Sequence, residues 1–133
     1  RRVITVNHGH LGMLALNGLS DMLLFTLAPS IVLCKALQVL TVQSGSLTSE
    51  SLPVLAGILL SCPLLHILCV GGNTCLCLEN DEEGCMRFVR AVRRSEKLEM
   101  LFMPHPAFVN DHLAGLLASV AAEVERDLRI VYE

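Results

Sequence analysis

The sequence predicts an α/β repeat fold, a short solenoid with parallel strands on one side and helices on the other, in about four and a half copies. Three observations carry that expectation. Residues 37–47 read L-x-x-L-x-V-x-x-G-x-L, and the pattern recurs along the chain. Between recurrences lie apolar residues at i, i+3 and i+7, one stripe of a helix. Length differences between copies fall outside both patterns, in loops, where a stacked repeat tolerates insertion. All 133 residues read as one domain, starting and ending in strands, and so as a fragment or a processed chain.

The template fixes a register. Its first place falls on Arg1, Leu37, Leu65, Leu98 and Leu128, giving spacings of 36, 28, 33 and 30. Copy one is carried by Ile4, Val6, Gly9 and Leu11, and copy three has Asn73 at the ninth place. Copy four is carried by Leu98, Leu101, Met103 and Phe108. The helical stripes are Leu24, Leu27, Ile31, then Leu52, Leu55, Leu59, then Cys85, Phe88, Val92, then Leu113, Leu116, Val120. On these residues the chain resembles the leucine-rich repeats of the long, ribonuclease-inhibitor-like type, with one strand and one full helix per repeat. It departs from them in its uneven repeat lengths, in Arg1 at a first place, and in Pro106 where Asn or Cys is usual. The resemblance implies an architecture and no particular ligand.

Taken in order, residues 3–7 read as the first strand. Ser20-Asp21 is a helix start, because both side chains can accept from free N–H groups. Pro29 should bend or end that helix, since it has no N–H to donate. The second strand spans residues 38–43; Thr48 or Ser49 then caps a helix whose first turn holds Glu50 and Pro53 and which Cys62-Pro63 ends. The third strand, 66–70, runs into the turn Gly71-Gly72-Asn73. Asn80 and Glu83 have the spacing of a capping box. The helix they open carries Arg87, Arg90, Arg93 and Arg94 toward its negative end. The fourth strand is 99–103, Asn110 or Asp111 starts a helix reaching Arg126, and Asp127 leads into the last strand.

Composition excludes several function classes. An apolar fraction of 53% supplies a core and argues against disorder. A net charge of −3 argues against nucleic-acid binding by phosphate neutralisation, and 4% aromatics argue against base stacking. No apolar run reaches the roughly 18 residues of a membrane span. The six cysteines, Cys34, Cys62, Cys69, Cys75, Cys77 and Cys85, read as core fillers of a reducing, intracellular compartment.

Along strands of this register, the third, fifth and seventh places face away from the helices. The third place holds Val3, Val39, Ile67, Met100 and Ile130, apolar in every copy. The fifth holds Thr5, Thr41, Cys69, Phe102 and Tyr132, and the seventh Asn7, Gln43, Gly71 and Pro104. Such a patch, on the order of a few hundred Å², marks a protein-binding surface. The expected function is therefore a non-catalytic interaction module or scaffold subunit that binds a partner protein through this face. Unpaired sheet edges would allow self-association or further repeats. Arg87, Arg90, Arg93 and Arg94 form a secondary basic surface on the helix side.

A second architecture also fits near-continuous apolar strands: a three-layer parallel α/β domain with its sheet covered on both faces. It would make the chain a small enzyme or ligand-binding domain, with a site at the strands' C-terminal ends near Asn7-His8, Gly71-Gly72-Asn73 and Pro104-His105. Chemistry-bearing motifs are sparse. Cys75-x-Cys77 with Cys85 and His66 lacks the usual pair spacing for zinc, and Gly71-Gly72-Asn73 lacks a phosphate-loop pattern. A Cys69–His pair has no acid–base partner in the sequence. No cofactor, metal or catalytic residue is expected.

Overall fold

The computed structural model describes residues 11–133, so the expected first strand at 3–7, with Val3, Thr5, Asn7, His8 and His10, lies outside the described residues. Among the described residues, five strands alternate with four helices: β1 (Met13–Ala15), α1 (Asp21–Ile31), β2 (Val39–Thr41), α2 (Leu52–Ser61), β3 (Ile67–Cys69), α3 (Glu82–Arg94), β4 (Met100–Met103), α4 (Asp111–Glu123) and β5 (Arg129–Tyr132). The strands form one parallel sheet in the order β1-β2-β3-β4-β5. Each helix packs on the next in the chain, α1 on α2, α2 on α3 and α3 on α4.

The strand that precedes β2 in the chain and pairs with it is 13–15, with Met13 opposite Val39 and Leu14 opposite Leu40. The copy beside β2 therefore opens at Leu11, and Leu11-x-x-Leu14-x-Leu16 meets the template as well as Arg1 and Ile4 did. The distance from Leu11 to Leu37 is 26 residues, close to the 28 that follow, and the long first loop disappears.

The core lies between sheet and helices. Leu14, Leu40, Leu68 and Leu101 sit side by side across four strands and are at most 7% exposed. Opposite them stand Leu24, Leu27, Ile31, Leu52, Leu55, Leu59, Cys85, Phe88 and Val92, all buried as their spacing requires. In α4 the stripe is Leu113, Leu117 and Val120, and Leu116 is only half-buried; both Leu lie near the inner face, and i+4 wins over i+3. Cys34, Cys62, Cys69, Cys77 and Cys85 are buried, whereas Cys75 is exposed. The same shift occurs in copy four, where Phe108 is exposed and Val109 buried. In both copies buried residues follow the exposed one, Leu76 and Cys77 after Cys75 and Val109 after Phe108, and Cys77 and Val109 stand level across a parallel bridge.

Local chemistry sets the helix ends. Ser20 accepts from the Leu23 N–H, Asn110 from Leu113, and Asp81, one residue after the expected Asn80, from Gly84. Thr48 caps a short 3₁₀ turn, Ser49–Ser51, that leads into α2, and Pro53 sits in the first turn of α2. Pro29 does not break α1, which runs through it to Ile31. Only two residues follow Pro29 and its ring is exposed, so the helix gives up one hydrogen bond near its C-terminal end. α4 stops at Glu123, before Arg126.

Polar side chains join successive copies. Asp21 accepts from the Thr48 N–H (2.9 Å), the Thr48 hydroxyl (2.6 Å) and the Ser51 hydroxyl, tying the start of α1 to the start of α2. Asn73, fully buried, donates to the Val42 and Val70 carbonyls (2.8 and 2.9 Å) and accepts from the Gly45 and Leu47 N–H groups (3.1 and 3.4 Å). Asn110 donates to the carbonyls of Cys77 (2.9 Å) and Glu79 (3.1 Å). Arg126 donates to the carbonyls of Leu98 (2.9 Å), Arg93 (3.2 Å) and Val92, closing the free C-terminal end of α3. Gly45 must be glycine, since a Cβ there would lie 2.3 Å from the Leu19 carbonyl oxygen.

Candidate functional site

The sheet face turned away from the helices is built by strand alternation. Side chains flanking each buried leucine point the other way, and the parallel register sets them in rows. One row is Met13, Val39, Ile67, Met100 and Arg129, and the next is Ala15, Thr41, Cys69, Phe102 and Val131. Met13 is 65% exposed; Val39, Thr41, Ile67, Met100 and Phe102 are half-buried. Four adjacent strands thus present one apolar line, Met13-Val39-Ile67-Met100, which Arg129 ends.

Ile130 and Tyr132 are not on this face. Leu101 pairs with Ile130 and Met103 with Tyr132, so both point to the helix side, where they pack against the core. Burial there raises the Tyr132 phenol above its ordinary pKa, with the neighbouring Cys77 thiol adding to the rise. The expected register of the last copy is off by one residue, and in a strand a slip of one exchanges the two faces. Arg129 and Val131 take the places expected for Ile130 and Tyr132.

At the rim, Gln43 donates to the Cys69 sulfur (3.0 Å), and the Glu133 carboxylate reaches the same sulfur at 3.9 Å. Cys69 is 5% exposed, and no histidine partners it among the described residues. At the strands' C-terminal ends, Gly72 has φ +74°, the left-handed turn geometry that glycine adopts freely, and Asn73 has its amide fully engaged by backbone. His105 accepts from the Ala107 N–H (3.1 Å) and caps a short 3₁₀ turn. Gly72, Asn73 and His105 shape turns, and the Asn73 amide and His105 Nδ1 are engaged by backbone groups.

The buried thiols Cys62 and Cys77 are poorly placed for nucleophilic work. Burial raises Cys77 to about 12 and Cys62 to about 11, the latter against the pull of nearby Lys35. Among the described residues no three His, Cys, Asp or Glu side chains come together as a metal would require. No helix among them is long and apolar enough to cross a membrane.

The four arginines of α3 do not act together. Arg93 turns toward α4 and pairs with Glu123 at 2.6 Å. Arg87, Arg90 and Arg94 line a groove of about 290 Å³ between α2 and α3, whose other walls are Pro53, Ala56, Gly57, Leu60 and Ala91. The sequence signals this groove only weakly: arginines at i, i+3 and i+7 share a face, but nothing in the spacing says that Gly57 and Leu60 lie across from them. No protein-family model matches the chain, and no curated protein matches it.

Proposed function

We propose that the chain is a leucine-rich-repeat solenoid acting as a non-catalytic protein-interaction module, with the open sheet face as its working surface. The observation that carries this reading is the unbroken apolar line Met13-Val39-Ile67-Met100 on a face away from the helices. Two further features support it. The sequential strand order and the packing of each helix on the next are what one-sided stacking of strand–helix units produces. Exposed and half-buried apolar residues set in a row across four strands mark an interaction site more strongly than the same residues scattered singly.

Met100 and Phe102 are the anchors in this reading. Large flexible and aromatic side chains in such a patch contribute most of the binding energy, and losing one costs about 2 kcal/mol or more of affinity. Thr41 and Gln43 supply polar contacts at its rim. Binding of this kind uses burial of side chains already in place, so no residue need ionise, transfer a proton or hold a metal.

The test is a quantitative affinity capture with three chains: wild type, Phe102→Glu, and Gly57→Glu on the opposite side of the molecule. Circular dichroism establishes first that all three fold. Proteins retained by wild type and Gly57→Glu but released by Phe102→Glu are the expected result. Equal retention by Phe102→Glu would remove the open face from consideration.

A further inference from the structure

We propose that the groove between α2 and α3 is a second, independent binding site, and that its occupant is an acidic amphipathic helix of a partner protein. The floor is apolar and shallow for a specific reason. Gly57 lies in the middle of α2, where a Cβ would meet nothing within 4 Å, so the missing side chain leaves the trough open. A glycine is disfavoured inside a helix, and packing against α3 does not demand one here. Leu60, one turn on, is 52% exposed at the edge of the same trough.

Charge decides what fits. Arg87, Arg90 and Arg94 stand along one wall and span about two helical turns. Among the described residues Arg90 and Arg94 form no ion pair, and Arg87 has only an exposed pair with Glu83 at 3.4 Å, which a better partner displaces at little cost. Glu82 and Glu83 flank the end of the groove nearest the start of α3, so the positive field lies toward the other end and gives an acidic ligand a direction. Guanidinium groups spaced by single turns match carboxylates spaced by single turns on a facing helix. An apolar stripe on that helix would cover Leu60, Ala56 and the Gly57 gap, as in other helix-in-groove recognition. Nucleic acid fits less well, because the groove has no aromatic platform and the chain is net negative.

The experiment uses a synthetic 16-residue helical peptide with leucines on one stripe and glutamates beside it, and a control with every glutamate replaced by lysine. Amide shifts of isotope-labelled chain are followed during titration with each peptide, with duplex DNA, and with vesicles of phosphatidylserine and phosphatidylcholine. The acidic peptide should shift residues around Gly57, Leu60, Arg90 and Arg94 and saturate, and the lysine peptide should not. Gly57→Glu fills the trough with a like charge and should weaken the acidic peptide at least tenfold. Arg90→Ala should weaken it about threefold to tenfold. Neither change touches the core, and Phe102→Glu on the other face should leave peptide binding intact. No saturable shift in the groove, equal binding of both peptides, insensitivity to Gly57→Glu, or tighter binding of DNA or vesicles than of peptide would each overturn the proposal. Failure of the open-face reading would leave this one standing, since the two sites share no residue.

Discussion

Leu68 and Ile67 are neighbours on β3, and they stand on opposite faces of the same sheet. Leu68 is fully buried among leucines of the adjoining strands and the helix layer, while Ile67 is half-buried in a row of exposed or half-buried side chains. Both are aliphatic and alike in size, so composition does not separate them. The difference is that one side chain is closed off in the core between sheet and helices and the other keeps part of its surface accessible. Apolar character therefore serves stability on one side of the sheet and, in the function proposed, recognition on the other.

Mutation can break that contrast directly. Leu68→Ala leaves a cavity in a close-packed layer and should cost about 2–5 kcal/mol of folding stability, read as a lower denaturant midpoint. Asn73→Ala should cost about 2–3 kcal/mol by the same measurement, because it strips partners from buried backbone groups at Val42, Leu47 and Val70 and from the partly buried Gly45 N–H. Ile67→Ala should cost under about 1 kcal/mol of stability while weakening any partner of the open face, so stability and binding separate at adjacent residues. If Ile67→Ala destabilises as much as Leu68→Ala, the open face is structural and the proposed division fails.

A gentler probe uses pH. Burial alone would raise the Asp21 carboxyl, but hydrogen bonds from Ser51 and Thr48 outweigh it, and the folded pKa lies below 3.8. The unfolded chain then binds that proton more readily than the folded one. Asp21 accordingly adds stability above the unfolded value, and the contribution fades as pH falls through the folded value. Asp21→Asn should flatten the acid limb of stability against pH and leave the open face unaffected. The smallest expected effect is chemical. Exposed Cys75 should be alkylated first under native conditions, and buried Cys77 only on unfolding, as peptide mass mapping would show.

Much of the fold was legible in the amino-acid pattern because strand and helix periods were both written in leucine. The strands at Leu40, Leu68 and Leu101 and three of the four helix stripes lie where the spacing put them. The pattern was ambiguous where two registers fit equally. Leu11-x-x-Leu14 fits as well as Arg1-x-x-Ile4, and only the pairing of Met13 with Val39 shows which segment lies beside β2. Leu128 is buried like a first-place leucine, yet the strand after it pairs one residue early, which sends Arg129 outward and turns Ile130 inward. The candidate face was readable for Val39, Ile67, Met100 and Phe102 because alternation is local. The groove beside Gly57 was not, since it depends on which faces of two separate helices meet.

The sequential order of the strands carries a consequence for how the molecule opens. No described strand is hydrogen-bonded to any but its neighbours in the chain, so among the described residues β1 and β5 each have one pairing partner, and β3 lies farthest from both ends of the row. Loss of an outer strand removes one interface, whereas exposing β3 requires parting from both sides. Amide protons of Leu68 and Cys69 should therefore exchange with solvent most slowly, those of the outer strands faster, and the protection factors should fall in both directions along the sheet.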